Sequence, residues 1–247
     1  MRLAHAGLLA LSLAWPTPAA AGARKALPPI PPPRVLNIVR VKVKPHATGS
    51  YAALENQIVR AYDRAKAKVY WIALQSPRDT TDVLYLNLVD SQESWQRMSA
   101  AYEAAVKRHP ELTELQDRLA KITLSTASTL TMRRDDVDRA PQGVDFASMR
   151  TLRLTLVDVR PGREGAFLDA IRTAPPTDGS WMVYEATDSS TYALITLTLA
   201  KSTHTGGSTM PRSLRRSKGI LLHAETRTYT VRPGMSHLPA AATVMTQ

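Results

Sequence analysis

A duplicated pattern constrains this chain more than any other feature. Val41-Lys42-Val43-Lys44-Pro45, followed by Gly49 and Tyr51, lines up with Val157-Asp158-Val159-Arg160-Pro161, followed by Gly165 and Phe167. Each stretch reads as a β-branched strand, then a basic residue and a proline that ends it, then a glycine before an aromatic. The elements that follow also match in type and order.

In the first copy, Tyr51, Leu54, Ile58, Ala61, Tyr62 and Ala65 recur at three and four and make one apolar helix face. Val69 to Gln75 and Val83 to Val89 read as strands joined through Ser76-Pro77-Arg78-Asp79. Asp90 and Glu93 resemble a capping box opening a helix with the stripe Trp95, Met98, Tyr102 and Val106. Pro110 starts a further helical turn, and Ser125 to Arg133 closes the copy as a strand. In the second copy the strands are Leu152–Val159, Trp181–Thr187, Tyr192–Leu199 and Leu221–Val231, with a short helix over Glu164–Arg172. Residues 201–219 contain Gly206-Gly207 and Pro211 and show no apolar period, so the second helix there reads as eroded to a basic loop.

Each copy is therefore β-α-β-β-α-β, and the fold class is α+β with two tandem ferredoxin-like repeats. The expected boundaries are a signal peptide over 1–21, a Pro-rich linker over 22–34 and repeat 1 over 35–134. A linker over 135–145, repeat 2 over 146–232 and a flexible tail over 233–247 follow. The order and lengths over about residues 35–232 resemble the dimeric α/β-barrel superfamily. That superfamily includes antibiotic-biosynthesis-monooxygenase-like, NIPSNAP-like and chlorite-dismutase-like proteins. The resemblance implies an intrachain pseudo-dimer, with two sheets facing each other, helices outside and a pocket between the sheets. It implies no particular activity.

Export is expected from Arg2 and His5, the apolar stretch through Leu8 to Trp15, and Ala19-Ala20-Ala21 at the cleavage positions. The destination is the periplasm or the exterior. The chain carries 32 Lys and Arg against 21 Asp and Glu, a net +11; loss of residues 1–21 removes only Arg2 and leaves +10. Export and the scatter of the basic residues argue against a specific nucleic-acid partner and leave an anionic envelope surface as a possible one. The absence of cysteine excludes disulfides, thiolate metal sites and cysteine nucleophiles. The histidines lack metal-ligand spacing, and no phosphate loop or nucleophile elbow occurs, so no metal or cofactor is expected.

Strand alternation nominates site residues. The faces with Val39, Val41 and Val43 on the first strand, Tyr70, Ile72 and Leu74 on the second and Leu84, Leu86 and Leu88 on the third are expected under the helices, and Leu36, Ile38, Arg40 and Lys42 form the mixed face of the first. The mixed faces are expected to line the pocket between the sheets, bringing Arg40, Trp71, Gln75, Tyr85 and Asn87 together as ligand-binding candidates. Trp71 and Tyr85 would stack on a flat ligand and Arg40 would hold an anionic group. Glu185, His223 and Glu225 are weaker acid–base candidates. The leading reading is an exported small-molecule-binding or scaffold protein. One alternative is a cofactor-independent monooxygenase or isomerase, for which a pocket under about 100 Å³ would be too small. The other is a haem protein. Whether the chain is an enzyme stays open at this point.

Overall fold

The computed structural model describes residues 30–140, 144–175, 180–199, 210, 214 and 219–238. Eight antiparallel strands close into one barrel: β1 (Val35–Val43), β2 (Ile72–Gln75), β3 (Asp82–Val89), β4 (Thr123–Arg133), β5 (Met149–Val159), β6 (Met182–Ala186), β7 (Thr191–Leu199) and β8 (Leu221–Val231). Their order around the barrel is β1-β3-β2-β8-β5-β7-β6-β4. The N-terminal half runs β4-β1-β3-β2 and the C-terminal half β8-β5-β7-β6, and the seams are β2–β8 and β4–β6. Four helices complete the described fold: α1 (Thr48–Ala65), α2 (Gln92–Arg108), α3 (Pro110–Ile122) and α4 (Glu164–Arg172). None of the described helices is long and apolar enough to cross a membrane.

The helix and strand starts follow local chemistry. α2 is capped by Ser91, whose Oγ accepts from the Ser94 amide at 3.2 Å, so the cap lies one residue beyond the expected Asp90. Pro110 occupies the first turn of α3, where a missing N–H costs nothing. Gly162, at φ 75, turns the chain from β5 towards α4.

The barrel interior is a dry aliphatic core. Leu36, Ile38, Ile72, Leu74, Leu84 and Leu86 from the first half meet Leu152, Leu154, Met182, Ile195 and Tyr229 from the second. Ile30, Phe146 and Met149 join this core, and Ile30 is pinned by its amide to Asp145 Oδ1 at 2.7 Å. The aliphatic faces of β2 and β3 thus point inward, opposite to the expectation above. An eight-stranded barrel leaves room only for interlocking side chains, and β2 and β3 give it their uniformly apolar faces. The mixed faces of β2 and β3 and the Val39, Val41 and Val43 face of β1, the last as expected, turn outward beneath α1, α2 and α3, where Val41, Tyr51, Ile58, Tyr62, Trp71, Val83 and Leu112 form a second core. A third core under α4 contains Phe167, Ile171, Trp181, Tyr192, Leu194 and Leu214.

Two expected boundaries change. Residues 233–238, assigned above to a flexible tail, dock on β2 through the 3-10 turn Pro233–Met235 and a bridge between His237 and Trp71. Residues 30–34, assigned to a linker, are anchored: Arg133 N–H donates to Arg34 O at 2.8 Å and Tyr184 OH to Pro33 O at 3.0 Å. The signal-peptide segment, most of the Pro-rich segment, most of 201–219 and residues 239–247 lie outside the described residues. Within 201–219, Leu214 is helical and buried.

Candidate functional site

A cavity of about 390 Å³ opens between the N-terminal half of the sheet and its helices. Its floor is a row across three strands. The register pairs Asn37 with Asn87 and Val39 with Tyr85, and the pairing of Ile72 with Leu86 sets Trp71 beside Asn87. Its walls are α1 and α3, and its roof is α2. Ala105 is the roof helix's buried residue; Trp95, Met98 and Tyr102 line the cavity, with Met98 also packed against the second core. Tyr102 is 41 % exposed and stands at the mouth, stacked on Tyr62 at 5.4 Å.

One carboxyl sits in this apolar space. Glu55 of α1 is buried and lines the cavity. Its neighbours Tyr51 and Tyr85 hydrogen-bond to each other through their hydroxyls, 2.9 Å apart. Burial pushes the Glu55 pKa up to about 7, against the opposing pull of the two phenol donors. Burial also raises Tyr51 and Tyr85, so both phenols keep their protons.

A chain of amides crosses the floor. Ser128 Oγ donates to Asn37 Oδ1 at 2.8 Å, Asn37 Nδ2 to Asn87 Oδ1 at 3.1 Å, and Asn87 Nδ2 to Tyr70 O at 3.1 Å. Each amide nitrogen carries a second N–H beyond the one this chain uses. The cavity therefore combines aromatic walls, an ionisable carboxyl and amide donors, a composition suited to holding a flat molecule while a proton moves.

Of the five nominated ligand-binding residues, Trp71, Tyr85 and Asn87 line this cavity, on the helix side of the sheet and not between two sheets. Arg40 lies on the opposite face. Its Nε contacts Asp82 Oδ1 at 3.1 Å and its Nη1 contacts Glu225 Oε2 at 2.8 Å. Arg227 bonds to the same two carboxylates, and Tyr229 OH donates to Asp82 Oδ2 at 3.2 Å. Burial works against the Arg40 cation, but the hydrogen bonds to Glu225 and Asp82 outweigh it and raise its pKa. Burial likewise opposes the Glu225 carboxylate, and Arg40 and Arg227 bring its pKa down. This network joins the two halves inside the barrel, and its charges are spent on one another. Gln75 is used in the β2–β3 turn, where Nε2 donates to Thr80 O at 2.6 Å.

The acid–base candidates do not converge. Glu185 is on the outer face of the C-terminal half, held by Arg134 at 2.6 Å and Tyr192 OH at 2.7 Å. Glu225 is inside the barrel and His223, two residues before it on β8, is exposed. The residue that the sequence reading missed is Glu55. Its signal was position: four after Tyr51 and three before Ile58, inside the apolar stripe of α1.

No described histidine lines the cavity. Among the described histidines, His46 and His223 are exposed, His109 precedes α3, and both ring nitrogens of the buried His237 are already engaged. The cavity residues thus do not fit a haem, and no described cluster of His, Asp and Glu is arranged to hold a metal ion.

This closed strand order, with helices outside, is the fold of the dimeric α/β-barrel superfamily, formed here within one chain. No family model and no curated protein matches the sequence. Among solved structures it is similar to an anthrone oxidase-like protein, at 14 % identity and TM-score 0.52, covering 85 % of this chain and 97 % of the other. It is similar to a candidate monooxygenase from Fusobacterium nucleatum subsp. nucleatum ATCC 25586, at 14 % identity and TM-score 0.50, covering 80 % and 91 %. A chlorite dismutase from Candidatus Nitrospira defluvii aligns at 10 % identity and TM-score 0.47, covering 82 % and 92 %.

Proposed function

We propose that the cavity of the N-terminal half binds a flat, weakly acidic aromatic compound and that Glu55 removes a proton from it. The class of reaction is cofactor-independent oxygenation or isomerisation. The observation that carries this reading is the placement of a buried carboxyl, flanked by two phenols, against a roomy aromatic-walled cavity. The cavity is well above the size at which the enzyme reading would fail.

The chemistry follows from the residues. Aromatic walls hold the ring and exclude water, so orientation comes from binding. Glu55 takes the proton, beside the hydrogen-bonded hydroxyls of Tyr51 and Tyr85. The free N–H groups of Asn37 and Asn87 stand across the floor as donors for an oxygen that gains charge as the proton leaves. The substrate anion then takes a proton at another atom, or yields electrons to dioxygen; the latter needs no cofactor because the substrate itself is the reductant.

We read the two halves as copies of one β-α-β-β-α-β unit, and the reading explains why one site suffices. Tyr51 and Glu55 correspond to Phe167 and Ile171. Val39 pairs with Tyr85, and its counterpart Thr155 pairs with Leu194. The second half has kept the packing and replaced the acid–base set by hydrocarbon. Residues 1–21 support placing the activity outside the cytoplasm, which N-terminal sequencing of the exported protein tests.

The decisive experiment follows oxygen uptake with an anthrone, the compound class in the name of one fold neighbour. The wild-type protein is expected to accelerate uptake and Glu55→Gln to lose the acceleration while still binding the compound. Binding without turnover in the wild type favours the non-enzymatic binding reading instead.

A further inference from the structure

The C-terminal segment after β8 belongs to the second half of the chain, yet it holds the cavity of the first. Arg232 N–H donates to Ala73 O at 2.8 Å, and Ser236 Oγ accepts from the Ala73 amide at 2.9 Å. His237 and Trp71 exchange backbone hydrogen bonds at 3.0 and 2.9 Å. The Trp71 indole Nε1 donates to Met235 O at 2.7 Å. Both the backbone and the ring of the cavity's tryptophan are thus fixed by this segment.

The same segment grips α1, the helix that carries Glu55. Gly234 lies so close to Asn56, the next residue after Glu55, that a Cβ there would stand 2.5 Å from Asn56 Oδ1. About two turns further along, Asp63 Oδ1 is 3.0 Å from His237 Nε2. The other ring nitrogen, Nδ1, faces Val69 O. Each ring nitrogen thus meets an oxygen of a different element, one on α1 and one on the approach to β2. The ring also packs between Tyr70 and Trp71, at 5.9 and 5.0 Å.

We infer that His237 is a positioning residue for the candidate active site, clasping α1 to β2 through Asp63 and the Val69 carbonyl so that Trp71 stands at a fixed distance from Glu55. The inference rests on the cavity being the working site. It makes the second half of the chain a functional part of the first half's site, and it gives a reason for the fusion of the halves beyond barrel closure. His237 touches no cavity ligand; it acts through Trp71.

The test compares wild type, His237→Ala, Asp63→Ala and the double variant in the full chain, with two readouts. The first is amide hydrogen exchange at Trp71 and Ala73 without ligand. The second is calorimetric binding of 2-naphthol, a flat phenol. We expect His237→Ala to lose protection at both amides, with β1 and β3 unaffected, and to bind 2-naphthol at least about tenfold more weakly. Added imidazole is expected to restore both, and Asp63→Ala to weaken binding with no further loss in the double variant. Unchanged exchange at Trp71 overturns the clasp. Lost protection with unchanged 2-naphthol affinity reduces His237 to a structural residue and overturns the positioning role. Additive losses in the double variant overturn the pairing with Asp63. Failure of the wild type to bind 2-naphthol overturns the reading of the cavity, and the positioning role with it, while the exchange data still decide whether the clasp exists.

Discussion

The hydroxyls of Tyr51 and Tyr85 stand 2.9 Å apart, and both phenols pull against the burial that raises the Glu55 pKa. One oxygen comes from α1, one from β3, and the acid lies one helical turn beyond the first.

Stability should therefore depend on pH through Glu55. Its folded pKa of about 7 is above the ordinary 4.5, so the folded protein binds the proton more tightly than the unfolded chain. Stability falls as pH rises from about 4.5 to about 7 and levels off above that; the span corresponds to about 3 kcal/mol. Glu55→Gln is expected to raise the melting temperature at pH 8 and leave it nearly unchanged at pH 4, as measured by calorimetry.

Removing one phenol should move the titration of the acid. Tyr85→Phe and Tyr51→Phe each take away a donor that favours the carboxylate. A hydrogen bond to a charged group contributes about 1.5 kcal/mol or more, so the rising limb of the pH–rate profile should shift upward by about 1 pH unit in either variant.

Asn87 is expected to matter to turnover more than to affinity. Replacing it with Ala removes a donor from the cavity floor and breaks its bonds to Asn37 and Tyr70. A lost donor to a developing oxyanion lowers kcat about 100-fold, with a smaller change in KM, in steady-state kinetics with an anthrone.

Arg40 and Asp82 give the opposite signature. Asp82 is fully buried against Arg40 and Arg227, so Asp82→Ala leaves two arginines with Glu225 as their one shared carboxylate. The expected loss is about 3–5 kcal/mol in a urea titration. Arg40→Ala should also destabilise, yet leave 2-naphthol affinity unchanged, because it lies on the other face of the sheet from the cavity.

Much of the fold was readable because it is local. The strand Leu221–Val231 and the helix Glu164–Arg172 start and stop where periodicity and composition change, and the structure places them over the same residues. The face assignment failed for a physical reason. Alternation shows that Leu84 and Tyr85 point to opposite sides of β3, but it does not say which side is the inside of a barrel. Glu55 was passed over because a single acid on a helix reads as solvent-facing, and its burial depends on Tyr85, thirty residues away in the chain. The docking of His237 on Trp71 joins residues 166 positions apart and has no local signature.

By itself, then, the sequence determined most of the element order and the residue types on each strand face, since these depend on neighbours a few positions apart. The tertiary structure alone decided which face became core and which became cavity. A closed eight-stranded barrel has a narrow interior that only interlocking aliphatic side chains fill, and the Trp71, Tyr85 and Asn87 face was left to meet Glu55 beneath the helices.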